Sequence, residues 1–213
     1  MKTDDLVALL TNNAGPADHT QTARRYGWAM VMSAVGAVVL LLAGFGVRPD
    51  LPVMLGTPLF WAKLTFPALM AVGAFLVVAR LARPGASVGR RWTVMAIPVV
   101  VVIVAAILTL GLAPASERLA MVLGISWQSC PFNIAYLAVP GFISSFWAMK
   151  GMAPTRLRTA GAAAGLLSGA VATLIYCLHC PEMEVAFWAV WYIAGMLIPT
   201  VIGALLAPRL LRW

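Results

Sequence analysis

The stretch Trp92-Thr93-Val94-Met95-Ala96-Ile97-Pro98-Val99-Val100-Val101-Val102-Ile103-Val104-Ala105-Ala106-Ile107-Leu108-Thr109-Leu110-Gly111-Leu112 contains no charged side chain, and Arg90-Arg91 stands directly before it. As a helix it rises about 30 Å, the thickness of a bilayer's hydrocarbon core. Five other runs read the same way, at about Trp28–Val47, Leu59–Ala79, Phe132–Met149, Thr159–Cys177 and Ala186–Ala207. Over the 213 residues, 62% are hydrophobic and 10% charged, and the mean hydropathy is +0.92. An average soluble domain carries about 25% charged residues. The expectation is an all-α integral membrane protein of six transmembrane helices in three hairpins. Tryptophans 28, 61, 92, 127, 188 and 213 lie near the proposed interfaces, where amphipathic rings settle.

Charge orients the bundle. With the amino terminus inside, the inner segments hold Lys2, Arg24, Arg25, Arg80, Arg83, Arg90, Arg91, Lys150, Arg156, Arg158, Arg209 and Arg212, which is 12 of the 15 basic residues. The outer segments keep Arg48, Lys63 and Arg118. This positive-inside bias places both termini in the cytoplasm. Lys63, near the outer end of its span, is expected to snorkel to water. The net charge of +8 then belongs to span ends facing anionic headgroups, so direct nucleic-acid binding is not expected. Residues 1–25 form a polar tail without the apolar run of a signal peptide, and residues 26–213 form the transmembrane unit. In the tail, Thr3 can cap a short helix with Asp4 and Asp5 in its first turn and Leu6, Leu9 and Leu10 on one face.

All three cysteines fall at outer ends: Cys130-Pro131 before the fourth span, and Cys177-Leu178-His179-Cys180-Pro181-Glu182 after the fifth. Cys177 and Cys180 form a C-x-x-C pair, a spacing used in dithiol redox chemistry and soft-metal ligation. Two chemistries fit. Oxidation joins Cys130 to Cys180, or Cys130, Cys177, His179 and Cys180 offer three sulfurs and an imidazole to zinc, cadmium or Cu(I). No cofactor is obligatory in either. Glu182 and Glu184 read as solvated loop charges. Gly161, Gly165 and Gly169, spaced by four, read as a packing stripe for a neighbouring helix.

The chain lacks a phosphate loop, an H-E-x-x-H and a G-x-S-x-G. With no acidic residue deep in a span, a proton-coupled pump has little support. A quinone-linked membrane thiol-disulfide oxidoreductase is the alternative, and a small metal exporter is a weaker one.

The opening Met1-Lys2-Thr3-Asp4-Asp5-Leu6, the six spans, Cys130-Pro131 after Trp127, and Cys180-Pro181-Glu182 together resemble the NrsF family of membrane anti-sigma factors. The resemblance covers essentially the whole chain. It implies a protein of the bacterial inner membrane that holds an extracytoplasmic-function sigma factor on its cytoplasmic face. Heavy-metal or oxidative stress at periplasmic thiols would release the sigma factor. The family's two cysteines match Cys130 and Cys180, whereas Cys177 and His179 are candidates from spacing alone. With no large cytoplasmic domain to bind the partner, the tail residues Asp4, Asp5, Leu6, Leu9 and Leu10 are the first choice, as a short helix in an apolar groove.

Overall fold

A computed structural model describes residues 19–82, 89, 91–152 and 154–212. Its elements are α1 (His19–Gly44), α2 (Leu51–Met54), α3 (Pro58–Leu81), α4 (Arg91–Leu112), α5 (Ala115–Leu123), α6 (Cys130–Leu137), α7 (Val139–Lys150), α8 (Leu157–Tyr176), α9 (Val185–Phe187), a π-helix (Trp188–Tyr192) and α10 (Ile193–Leu210). No strand occurs among the described residues. Five helical stretches are long and apolar enough to cross a membrane, and the bent pair α6–α7 makes a sixth if counted as one span. The tail residues Asp4, Asp5, Leu6, Leu9 and Leu10 lie outside the described residues, as does Trp213. Helix α1 starts at His19, so the boundary expected at residue 25 falls inside a helix.

Helix α8 buries mostly small residues, and the outward faces of its neighbours carry large apolar ones. Helix α8 is the axis, with 72% of its apolar stretch buried, against 22% for α4. Ile97, Val100, Val101, Ile107 and Leu108 of α4 are more than half exposed. Among lipid tails such a face costs nothing, whereas a soluble protein rarely shows a patch of this size. The glycine stripe does pack as expected. A Cβ on Gly161 would overlap the Gly203 carbonyl, one on Gly165 the Pro199 carbonyl, and one on Gly203 the Gly161 carbonyl. Small residues thus bring the backbones of α8 and α10 into contact, which strengthens dispersion where the hydrophobic effect gives helices no reason to associate.

The three-hairpin picture needs correction. Helix α1 packs mainly on α7, and α3 on α8 and α4, while α1 and α3 barely touch. The expected fourth span is also broken. Helices α6 and α7 meet at a 42° bend at Ala138. Pro140 lacks the N–H that would continue the ladder. Gly36 of α1 lies against the Pro140 ring, and the Ser144 hydroxyl donates to the Ala29 carbonyl at 3.0 Å. The segment between α4 and α6 contains α5, ended by Gly124 at φ +56°.

Trp188 is likewise not an interfacial ring. It is 2% exposed, because the wide π turn directs both Trp188 and Tyr192 into the core. Replacing Gly165 with valine is expected to destabilise the bundle by about 1–3 kcal/mol, since backbone cannot yield as a flexible side chain does. The unfolding midpoint in detergent should drop clearly for Gly165→Val and stay near wild type for Gly111→Ala, where a Cβ meets open space.

Candidate functional site: a buried thiol cluster

One end of the bundle collects the end of α1, the starts of α3 and α6, the end of α8, and the turn from Cys177 to Glu184. All three cysteines lie here as free, buried thiols. The α8 helix closes at Tyr176, and the N–H groups of Leu178, His179 and Cys180 turn back onto its last carbonyls at 2.9–3.1 Å. Pro181 prevents the helix from continuing. This turn folds over the start of α3 and the cluster forms beneath it.

Cys130, at the first position of α6, and Cys180, in the turn, have hydrogen-bonded thiols. The Tyr192 hydroxyl and the Glu182 N–H also reach the Cys180 sulfur. Cys177 is held differently, with its Sγ directed to the Tyr192 hydroxyl at 3.9 Å and the Lys63 carbonyl at 4.0 Å. Tyr192 therefore stands between the two sulfurs of the C-x-x-C pair, while Cys130 meets Cys180 directly. The Tyr176 hydroxyl touches the Cys130 thiol and receives the Asn133 amide at 3.4 Å.

His179 does not join the sulfurs. Its Nδ1 donates to the Gly46 carbonyl at 3.0 Å, and its ring lies between Phe45 and Tyr176. Among the described residues no group of three or more His, Cys, Asp or Glu is placed to hold a metal ion. The four-donor set of Cys130, Cys177, His179 and Cys180 is thus not assembled in this arrangement.

Two charged residues correct the sequence reading. Lys63 does not snorkel and is fully buried. Its Nζ donates to the carbonyls of Cys180 and Glu182 at 2.7 Å each and lies 5.9 Å from the centre of the Tyr192 ring. These carbonyls replace the water that the ammonium would otherwise seek. Glu182 is not a solvated loop charge. It is 9% exposed, and its Oε1 accepts from the N–H groups of Ile125 and Ser126 at 2.7 and 3.0 Å and from the Ser126 hydroxyl at 3.1 Å. Glu182 thereby ties the cysteine turn to the segment leading into α6 and Cys130.

Arg48, 8% exposed, completes the lid. Its Nε and Nη2 form a bidentate pair with Asp50 at 2.7 Å each, and Nη1 donates to the Cys180 carbonyl at 3.1 Å. The hydrogen bond from Arg48 holds the Asp50 carboxyl below its ordinary range. The sequence did carry a signal for Lys63, because an ionisable residue inside an apolar span is unusual. Tyr176 and Tyr192 carried none, since nothing local marks a tyrosine as a thiol's neighbour.

The two thiols of the C-x-x-C pair differ in their surroundings. Cys177 is fully buried. Cys180 is lowered, first by the Cys130 thiol hydrogen-bonded to it, then by the Lys63 ammonium and the Tyr192 and Glu182 donors, against the opposing effect of burial. A low-pKa sulfur beside a second thiol is the arrangement of a pair poised for oxidation.

Fold and site together describe an all-helical bundle of membrane-type spans with a buried thiol cluster at one end. The comparisons give the family. The chain matches the model of the family described as negative regulator of sigma F over residues 10–213. It is 45% identical over 213 residues to the probable anti-sigma-F factor NrsF of Azospira oryzae, covering 100% of both chains. It is 38% identical over 214 residues to the anti-sigma-F factor NrsF of Caulobacter vibrioides, again covering 100% of both. No solved structure matches. The chain belongs to the negative regulator of sigma F family, a family of regulators and not of enzymes. The oxidoreductase reading is set aside on that ground.

Because Cys180 is lowered in the folded protein, its thiolate fills as pH rises through a value below the ordinary thiol range. The stability its partners lend is full above the ordinary thiol range and is lost as pH falls through that value. The ultraviolet thiolate absorbance, taken as wild type minus Cys180→Ser, should rise with that midpoint. Lys63→Met should move it upward by about one pH unit or more, since a nearby cation lowers a thiol's pKa by that order.

Proposed function

We propose that this chain is a polytopic anti-sigma factor of the bacterial inner membrane, with both termini in the cytoplasm and the thiol cluster at the periplasmic end. At rest its cytoplasmic face holds an extracytoplasmic-function sigma factor away from RNA polymerase. The tail residues Asp4, Asp5, Leu6, Leu9 and Leu10 provide the principal contact. Family membership and the concentration of basic residues in alternate loops support the partner and the orientation.

The observation that carries the sensing half is the direct meeting of the Cys130 and Cys180 thiols, which belong to segments far apart in the chain. An oxidant of the diazene or peroxide class takes two electrons from the Cys130 thiol and the Cys180 thiolate, its reduced form takes up the Cys130 proton and one proton from solvent, and a Cys130–Cys180 disulfide is left. A covalent S–S bond of about 2.05 Å replaces the thiol hydrogen bond and draws the two sulfurs together, so the turn held by Lys63, Arg48 and Glu182 must shift. Since α8 is packed backbone to backbone on α10, a shift at its end is borne by the whole helix and not absorbed locally. Moving the partner from 1:99 to 99:1 released requires about 5.5 kcal/mol of differential stabilisation, and a disulfide contributes about 2–4 kcal/mol. Changed packing of α8 and its neighbours has to supply the remainder.

Serine at Cys130 or at Cys180 should blunt induction of sigma-dependent transcription while the protein still co-purifies its sigma factor. Serine at Cys177 should leave induction largely intact. Normal induction in both of the first two variants would sink the thiol-pair account. Deleting Thr3–Leu10 should free the sigma factor without stress. Undiminished co-purification after that deletion would remove the tail as the main contact.

A further inference from the structure

The end of the bundle opposite the cysteines carries a second constellation, which the thiol chemistry does not use. Arg24 and Arg25 open the exposed part of α1, and Trp28 follows them at i+4 and i+3, on the same side of the helix. Together with Trp147 of α7 they line a cavity of about 320 Å³. Among the described residues neither guanidinium has an acidic partner, the one salt bridge there being Arg48–Asp50. The Arg25 guanidinium lies over Gly151, in space that a Cβ would fill. Trp28 and Trp147 are 60% and 64% exposed.

The same two tryptophans also line the upper part of a second, apolar groove of about 570 Å³ between α1 and α7, walled by Met32, Val35, Pro140 and Ile143. The hydroxyl of Ser144 within it is already given to the Ala29 carbonyl. A basic cup thus opens into an apolar channel running along two membrane-type helices. A soluble anion would use only the cup, and an apolar peptide only the channel.

We propose that the Arg24–Arg25 cup and the α1–α7 groove together bind one anionic phospholipid. Its phosphate lies on the two guanidiniums, its glycerol region lies between Trp28 and Trp147, and an acyl chain lies against Met32, Val35 and Ile143. Guanidiniums suit phosphate because their fork of donors matches its oxygens. The proposal requires only that the bundle sits in a bilayer, and it is independent of the thiol pair and of the sigma factor.

Native mass spectrometry of the detergent-solubilised full chain tests this, with added phosphatidylglycerol, phosphatidylcholine or inorganic phosphate. Wild type should retain one phosphatidylglycerol at least about tenfold better than phosphatidylcholine, whose quaternary ammonium cancels the phosphate charge and is repelled by the two guanidiniums, an order set by unit charges a few ångströms apart in water. Inorganic phosphate should not displace it. Arg24→Gln/Arg25→Gln should abolish the preference, and Arg24→Lys/Arg25→Lys should retain most of it. Val35→Trp, which fills the groove and leaves the arginines in place, should also weaken retention. Equal retention of both lipids by wild type, or an unchanged preference in both the glutamine and tryptophan variants, would overturn the site. Displacement by inorganic phosphate, or a lipid-independent dimer that disappears in the glutamine variant, would overturn it as well.

Discussion

A lysine taken fully out of water must find oxygen atoms within reach of its ammonium, and much of this protein's cysteine end follows from how Lys63 does so. Its two acceptors are main-chain carbonyls of Cys180 and Glu182. To present both, the chain after α8 has to fold back over the start of α3. That fold-back buries Cys180, brings it to Cys130, and aims Glu182 at the backbone before α6. Each group in the set is costly alone. An unpaired buried cation, carboxylate or carbonyl loses its hydration for nothing. Together they satisfy one another, so the cluster is expected to open as a unit.

The rest of the bundle is stiff enough to make that opening matter. Helix α8 meets α10 through glycines that admit no side chain between them, and its polar Ser168 and Thr173 return their hydroxyls to their own helix at 2.8 Å. Softer ground lies at the bend between α6 and α7, where Pro140 interrupts the ladder. Cys130 starts α6 on one side of this bend, and α7 packs on α1 on the other. A change at the thiols thus has a hinge beside it and, beyond the hinge, the helix that leads directly from the amino-terminal tail.

The spans were legible in the sequence because apolar length is a one-dimensional signal. The helices begin and end within a few residues of the hydropathy runs, except where α1 extends back to His19. The glycine stripe was legible for the same reason, since a spacing of four marks one face. That the three cysteines share one end followed from counting crossings. That Tyr192 stands between Cys177 and Cys180 did not follow, because the π turn that inserts it leaves no local mark. The burial of Lys63 and Glu182 was missed because their partners are backbone groups far along the chain: Glu182 reaches Ile125, 57 residues away, and Lys63 reaches Cys180, 117 away. A charge near a span end looks the same in sequence whether water or a folded turn receives it.

The most direct measurement is disulfide mapping by peptide mass spectrometry after brief treatment of the intact protein in detergent with diamide, a thiol oxidant. The thiol-pair account predicts one linked species, Cys130 to Cys180, with Cys177 recovered as a free thiol. A Cys177–Cys180 link as the main product, or no intramolecular link at all, would contradict it.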